Sequence, residues 1–215
     1  MCRLKTLRKI SILSFLALAA FGAEVPDPAT DIKTPSKESQ RVILAGGCFW
    51  CTEVVFQHID GVQEVISGYS GGTQETANYK AVSTGTTGHA ECVEVTYDPT
   101  KISYGQILKV FFDVAHDPTQ LNRQGPDHGP QYRSAIFYNS QEQKEVAEAY
   151  IQQLNAAKVF SGPIVTQVVK LEKFYPAEEY HQNFCRRNPN NSYVRAIANP
   201  KVEKTKKQYP NLLKK

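Results

Sequence analysis

A short apolar run, Val42-Ile43-Leu44-Ala45, ends abruptly at Gly46-Gly47 and is followed at once by Cys48-Phe49-Trp50-Cys51. Nothing else in the chain constrains the fold so tightly. A run of this length bounded by glycines reads as a buried strand entering a tight turn. Cys48 to His58 then has helical character, with Phe49, Val55 and Phe56 available for burial. A cysteine pair is therefore expected at a strand-to-helix junction.

Further on, Val62 to Tyr69 reads as a strand stopped by Ser70-Gly71-Gly72, and Glu91 to Tyr97 alternates until Asp98-Pro99 ends it. Ser103 with Gln106 forms a capping box for a helix through Ile107, Leu108, Phe111 and Phe112. Ser140 with Gln143 opens another, running to about Ala157. Ser134 to Tyr138 and Ile164 to Leu171 are expected strands, and Pro176 to Cys185 a last helix with proline in its first turn. The order is not a strict βαβ alternation. The expected class is α/β (α+β), with helices packed on a mixed sheet. A chain of 215 residues can bury a full core in one domain.

The N-terminus differs from the rest. Arg3, Lys5, Arg8 and Lys9 precede an apolar run from Ile10 to Phe21, and Ala20, Gly22 and Ala23 suit a signal peptidase. Residues 1–23 are expected to be a signal peptide, and the protein to be exported, to the periplasm. The alternative is an uncleaved anchor, although the apolar run is short of the roughly 20 residues a membrane span needs. No stable membrane insertion is expected after cleavage. The segment carries the whole formal charge of +4, so the mature chain is near neutral. With no basic stripe interleaved with aromatics, a nucleic-acid partner is not implied. Residues 24–40, rich in proline and polar side chains, are expected to be a linker. The domain is expected over 41–200, and 201–215 as a solvated basic tail.

Of the five cysteines, Cys48, Cys51, Cys92 and Cys185 follow the signal segment, an even number that admits purely structural pairing. A Cys48–Cys51 bridge, however, would close a very small loop and restrain the unfolded chain little. Such a pair suits reversible exchange. The start of a helix is expected to favour a thiolate on Cys48. A zinc site lacks its second CxxC or a nearby His pair. Haem attachment fails because Thr52, not His, follows Cys51. Phe49 and Trp50 beside the nucleophile suit an apolar or polarisable group such as a thioether methyl.

At Gly46-Gly47-Cys48-Phe49-Trp50-Cys51-Thr52-Glu53 the sequence resembles the peptide methionine sulfoxide reductases of the A type. The resemblance continues through Ser67-Gly68-Tyr69, Gly88-His89-Ala90-Glu91, His116-Asp117-Pro118, Asp127-His128-Gly129-Pro130-Gln131-Tyr132 and Ala177-Glu178-Glu179-Tyr180-His181-Gln182. It covers Arg41 to Pro210. It implies a two-layer sandwich with a ferredoxin-like core and a C-terminal coil extension. It implies reduction of the S epimer of methionine sulfoxide, free or in oxidised proteins and peptides. Cys48 would be the nucleophile and Cys51 its resolving partner. Glu91 would be the acid that protonates the sulfoxide oxygen, Tyr79 and Tyr132 would donate hydrogen bonds to that oxygen, and Asp127 would help arrange the site. Phe49 and Trp50 would hold the substrate methyl. A thioredoxin-like protein would restore the thiols, with no metal and no cofactor, and the enzyme would be a monomer. Many members have glycine at the position of Cys51 and resolve with a C-terminal cysteine. Cys185 is thus either a relay thiol or buried, burial being favoured, and Cys92 is expected in the core.

Two rival classes remain at this level. A general thiol–disulfide oxidoreductase would reduce protein disulfides rather than sulfoxides. A disulfide-stapled binding module would lose stability but no activity when Cys48 and Cys51 are replaced.

Overall fold

Val42, Ile43, Leu44 and Ala45 lie at the middle of a sheet, each at most 1% exposed. The computed structural model describes residues 24–33 and 37–215; the expected signal segment lies outside them. The run is apolar throughout because both faces are covered. Val42 and Leu44 enter the main core, whereas Ile43 and Ala45 enter a smaller one with Ala90, Cys92, Ala135 and Phe137.

The strands are β1 (Gln40–Gly46), β2 (Val62–Ser70), β3 (Ala90–Tyr97), β4 (Arg123–Gln124), β5 (Asp127–His128), β6 (Ser134–Tyr138), β7 (Gln167–Lys170) and β8 (Phe174–Pro176). The helices are α1 (Phe49–Gln57), α2 (Tyr79–Val82), α3 (Tyr104–Val110), α4 (Gln141–Ala156), α5 (Phe184–Arg187) and α6 (Asn199–Gln208). The main sheet has six strands in the order β7-β6-β1-β3-β2-β8, and β4 pairs with β5 apart from it. Among the described residues, only β6 and β7 pair in parallel. In β1-α1-β2 the chain crosses over and leaves a gap that β3 fills. With α3 and β6 added, this is the ferredoxin-like order expected. Apolar residues of α1, α3 and α4 fill the main core, which is built from aromatic and branched side chains. The chain's one methionine is Met1, so the described residues contain none.

Ser103 and Gln106 form a complete box. At α4, Ser140 accepts from the Gln143 N–H, but the Gln143 side chain bonds the N–H of Asn139, one residue before the cap, and the Arg41 carbonyl. That serves to tie α4 to β1.

Three boundaries differ from expectation. Residues 24–33, read as part of a linker, pack on α3 and α4. Val25 is 5% exposed, the Pro26 carbonyl accepts from the Tyr150 hydroxyl at 2.7 Å, and Asp31 accepts from the Gly105 N–H at 3.0 Å. The carboxyl crowds Gly105 so closely that a Cβ there would lie 2.5 Å from it. Residues 201–215, read as a solvated tail, complete α6 and pack back: Val202, Thr205 and Tyr209 are buried, and Leu213 bridges to Ile59. The lysines lay their stems across the surface, Lys204 reaching Asp113 at 3.0 Å. Finally, the expected helix from Pro176 to Cys185 is a strand, a short turn and a brief helix. The Gln182 side chain accepts from the Ser67 N–H and donates to the Ser67 carbonyl, both at 2.9 Å. It thereby substitutes for a neighbouring strand and keeps this segment out of a helix.

Because Tyr209 also donates to Asp113 at 2.7 Å, Tyr209→Ala should lower stability by about 3 kcal/mol, the usual cost of emptying an aromatic site. Urea unfolding checks this; a loss below about 0.5 kcal/mol, the surface norm, would mean the C-terminal segment contributes nothing.

Candidate active site

Between β1 and α1 the chain turns at Gly47, whose φ is +88°. A Cβ at Gly47 would lie 2.5 Å from the Gln124 side chain, so the β4–β5 loop closes directly over the turn. Behind it, buried His116 sits between the Phe111 carbonyl at 3.0 Å and the Ser134 hydroxyl at 2.6 Å. The carbonyl can only accept, so Nδ1 carries the proton and Nε2 accepts from Ser134. Burial keeps this ring neutral, its pKa pushed down to about 3. Glycine and packed ring together fix where Cys48 emerges.

Cys48 immediately precedes α1, with Cys51 one turn on; both are free thiols, 8% and 1% exposed. Their sulfurs are within hydrogen-bonding reach of one another. The helix start does not act as expected. Its first N–H, that of Phe49, is donated to Glu91 at 3.1 Å, and the Cys48 side chain takes no capping bond. Burial, then Cys51 and Glu91, hold the Cys48 thiol well above its ordinary range. In the resting reduced site Cys48 is a neutral thiol.

Glu91 projects from β3, opposite Tyr69 of β2, and is 2% exposed. Burial raises its pKa to about 8 against the lowering effect of the Phe49 N–H, with Asp127 and Cys51 adding to the rise. At neutral pH the side chain is mainly a carboxylic acid. Cys92, next along β3, points into the opposite core as expected.

A cavity of about 170 Å³ opens on these groups. Cys48, Glu91, Phe49, Trp50, Tyr79, Asp127 and Tyr132 all line it. The Tyr79 and Tyr132 hydroxyls make no hydrogen bond among the described residues, which leaves them available to a ligand. Trp50 is rigidly held: its ring stacks on Phe184 at 3.7 Å and 7°, and its N–H donates to His181 at 3.1 Å. Cys51 does not line this cavity; it lies behind Cys48.

Sequence reasoning missed four contributors. Tyr193 lines the cavity and donates to Asp127 at 2.5 Å, with Cys51 Sγ at 3.9 Å. Asp127 thus acts on the site through Tyr193. Glu178 accepts from the Tyr69 hydroxyl and the Tyr79 N–H, both at 2.9 Å, and so places Tyr79. His181 fixes the indole. Buried Glu53 accepts from the N–H of Asn183, whose φ of 55° swings Phe184 onto Trp50. Glu178, His181 and Glu53 stood inside recognisable motifs; Tyr193 stood in none. Cys185 is buried, its thiol donating to the Trp50 carbonyl at 3.4 Å.

Two thiols within reach of one another, beside an acid kept neutral, form a site suited to two-electron reduction by cysteine with a proton from the protein. The comparisons give that class its family. The family model described as peptide methionine sulfoxide reductase matches residues 40–213, and the chain belongs to this family. It is 50% identical over 208 residues to peptide methionine sulfoxide reductase MsrA 2 of Synechocystis sp., covering 95% of this chain and 97% of that one. It is 53% identical over 174 residues to MsrA 2 of Mesorhizobium japonicum, covering 81% and 89%. Among solved structures, reduced Mxr1 from Saccharomyces cerevisiae superposes with a TM-score of 0.66 at 34% identity, covering 76% of this chain and 92% of that one. Methionine sulfoxide reductase A of Corynebacterium diphtheriae gives 0.61 at 36% identity, covering 73% and 78%.

Proposed function

We propose that this chain reduces the S epimer of methionine sulfoxide, free or in oxidised proteins and peptides, and so repairs them. The observation that carries the reading is that Cys48, neutral Glu91 and the Phe49/Trp50 wall share one small cavity. Sulfur attacks sulfur: Cys48 Sγ bonds to the sulfoxide sulfur as Glu91 gives its proton to the oxygen and takes up the proton that the Cys48 thiol releases. A sulfoxide oxygen leaves poorly until protonated, which is what a carboxyl group with a raised pKa supplies. Tyr79 and Tyr132 steady the same oxygen. Collapse releases methionine and leaves Cys48 as a sulfenic acid; Cys51 displaces water from it to form the disulfide. A thioredoxin-like dithiol protein then returns both thiols. The atoms balance without a metal or an organic cofactor. The basic and apolar start of the chain supports export to the periplasm after removal of residues 1–23, so the donor must act outside the cytoplasm. The enzyme acts as a monomer.

The geometry sets a stereochemical test. With the methyl against Phe49 and Trp50, only one sulfur configuration turns its oxygen toward Glu91. The purified S epimer should be consumed and the R epimer left, as expected of one enzyme per epimer. Comparable rates on both would remove the proposed pocket.

A further inference from the structure

Closing the disulfide needs two proton movements in one step. Cys51 must lose its proton to attack, and the oxygen on Cys48 must gain one to leave as water. Glu91 serves the second need, being a neutral acid that faces Cys48 in the substrate cavity. It is therefore not free to accept from Cys51 at the same moment. Cys185, which also faces Cys51, is itself a thiol that burial pushes up to about 12, and it donates to the Trp50 carbonyl. A further acceptor does stand against Cys51. Its thiol donates to the Tyr193 hydroxyl oxygen at 3.9 Å. Tyr193 has a single hydroxyl proton, which goes to Asp127 Oδ2 at 2.5 Å, so its oxygen is left to accept. With Cys48 donating to Cys51, one direction of donation runs from Cys48 through Cys51 and Tyr193 to Asp127. Asp127 lines both the substrate cavity and a second one, of about 260 Å³, that also takes in Cys51 and Lys201. The chain of bonds thus ends at a carboxylate with access to water.

We propose that Tyr193 and Asp127 are the base of the resolving step, drawing the proton off Cys51 as it attacks the sulfenic acid. The inference rests on the cysteine cycle proposed above and concerns only its second half. The Cys51 proton passes to the Tyr193 oxygen as the Tyr193 proton passes to Asp127. Cys51 Sγ bonds to Cys48 Sγ, and the Cys48 S–O bond breaks. Its electron pair leaves with the oxygen, which takes the Glu91 proton and departs as water. The Cys51 sulfur is oxidised as the sulfenic sulfur is reduced, so no outside electrons are needed. Asp127 then releases its proton to water and Glu91 takes one up, which restores the site. In the resting site the bond from Cys48, and then the Lys201 ammonium, draw the Cys51 thiol below its ordinary range against the effect of burial. The first influence is lost once Cys48 carries oxygen. Lys201 remains, and it favours the thiolate that the relay leaves behind.

The test uses the whole mature protein, reduced and freed of external thiol, with Tyr193→Phe and Asp127→Asn. Phenylalanine keeps the ring that meets Trp50 edge-on at 6.1 Å and removes only the hydroxyl. Asparagine keeps the shape of Asp127 but takes up no proton. Each protein is given a methionine sulfoxide peptide in a single turnover, and methionine, Cys48–Cys51 disulfide and dimedone-trapped sulfenic acid are measured over time. In both variants disulfide formation should lag methionine release by roughly 10²-fold more than in the wild type, the low end of the range for a lost general base. Sulfenic acid should accumulate on Cys48 in the interval. In Tyr193→Phe the disulfide step should also quicken by roughly tenfold per pH unit from pH 6 to 8, as solvent takes over the proton and sets the thiolate fraction. Disulfide that keeps pace with methionine in both variants would overturn the relay, as would a lag that does not change with pH, which packing alone would give. A loss of methionine release large enough to hide the lag would overturn it too, because Tyr193 and Asp127 would then belong to the sulfoxide step. Failure of the wild-type protein to release methionine would instead sink the sulfoxide reductase reading itself.

Discussion

Cys48→Ser should form no methionine at all, whereas Cys51→Ser should still form one methionine per enzyme molecule and then stop. A serine hydroxyl at neutral pH is a far weaker nucleophile than sulfur, so removing the Cys48 sulfur removes the first bond the reaction makes. Cys51 enters only after methionine has left. In Cys51→Ser the oxygen taken from the substrate should remain on Cys48 as a sulfenic acid that dimedone traps, and thioredoxin-driven turnover should collapse. Small thiols should restore part of it by attacking the sulfenic acid directly. The buried position of Cys185 against the Trp50 carbonyl predicts that Cys185→Ser keeps thioredoxin-dependent turnover. Normal turnover by Cys51→Ser with loss in Cys185→Ser would reverse the assignment of the resolving cysteine.

Glu91→Gln should slow single-turnover reduction by roughly 10²- to 10⁴-fold, the range for a lost general acid. The amide keeps the shape and can accept from the Phe49 N–H, but it has no acidic proton to give. The wild-type rate should be level below pH 8 and fall above it, since the Glu91 pKa of about 8 marks where its proton is lost. Stability should carry the same signature. The folded protein holds this proton up to about pH 8, while the unfolded chain releases it near 4.5. Wild-type stability therefore declines across that window relative to Glu91→Gln, and the variant should be the more stable protein at pH 9. A Glu91→Gln rate equal to wild type at pH 7 would take Glu91 out of the chemistry.

The centre of this molecule was legible in the sequence and its margins were not. Strand, glycine turn and helix start could be read from Val42 to Cys51 because local rules and burial agree there. Cys92 was placed correctly because strand alternation puts it opposite Glu91. The two margins misled for one reason: polar segments were taken as solvated although a few anchors hold them down. Val25 and Asp31 do this at one end, and Val202, Thr205 and Tyr209 at the other. Such sparse anchors leave almost no periodic signal. The thiolate expectation failed for a different reason. A helix start favours charge only where its donors point, and the Phe49 N–H points at Glu91. Tyr193 was hidden because it stands in no recognisable motif and reaches the site from far along the chain, in the segment just before α6.

The composition of the core bears on the durability of the catalyst. An oxidant able to make the substrate also reaches thioethers of the catalyst itself, and a sulfoxide in a packed interior makes it polar and disrupts it. Here the only methionine is Met1, and the interior is aromatic and branched aliphatic. The enzyme therefore offers itself no internal substrate. Under oxidant stress its working life is set by thiols that its own cycle regenerates, while its packing carries no lesion that another copy would have to mend.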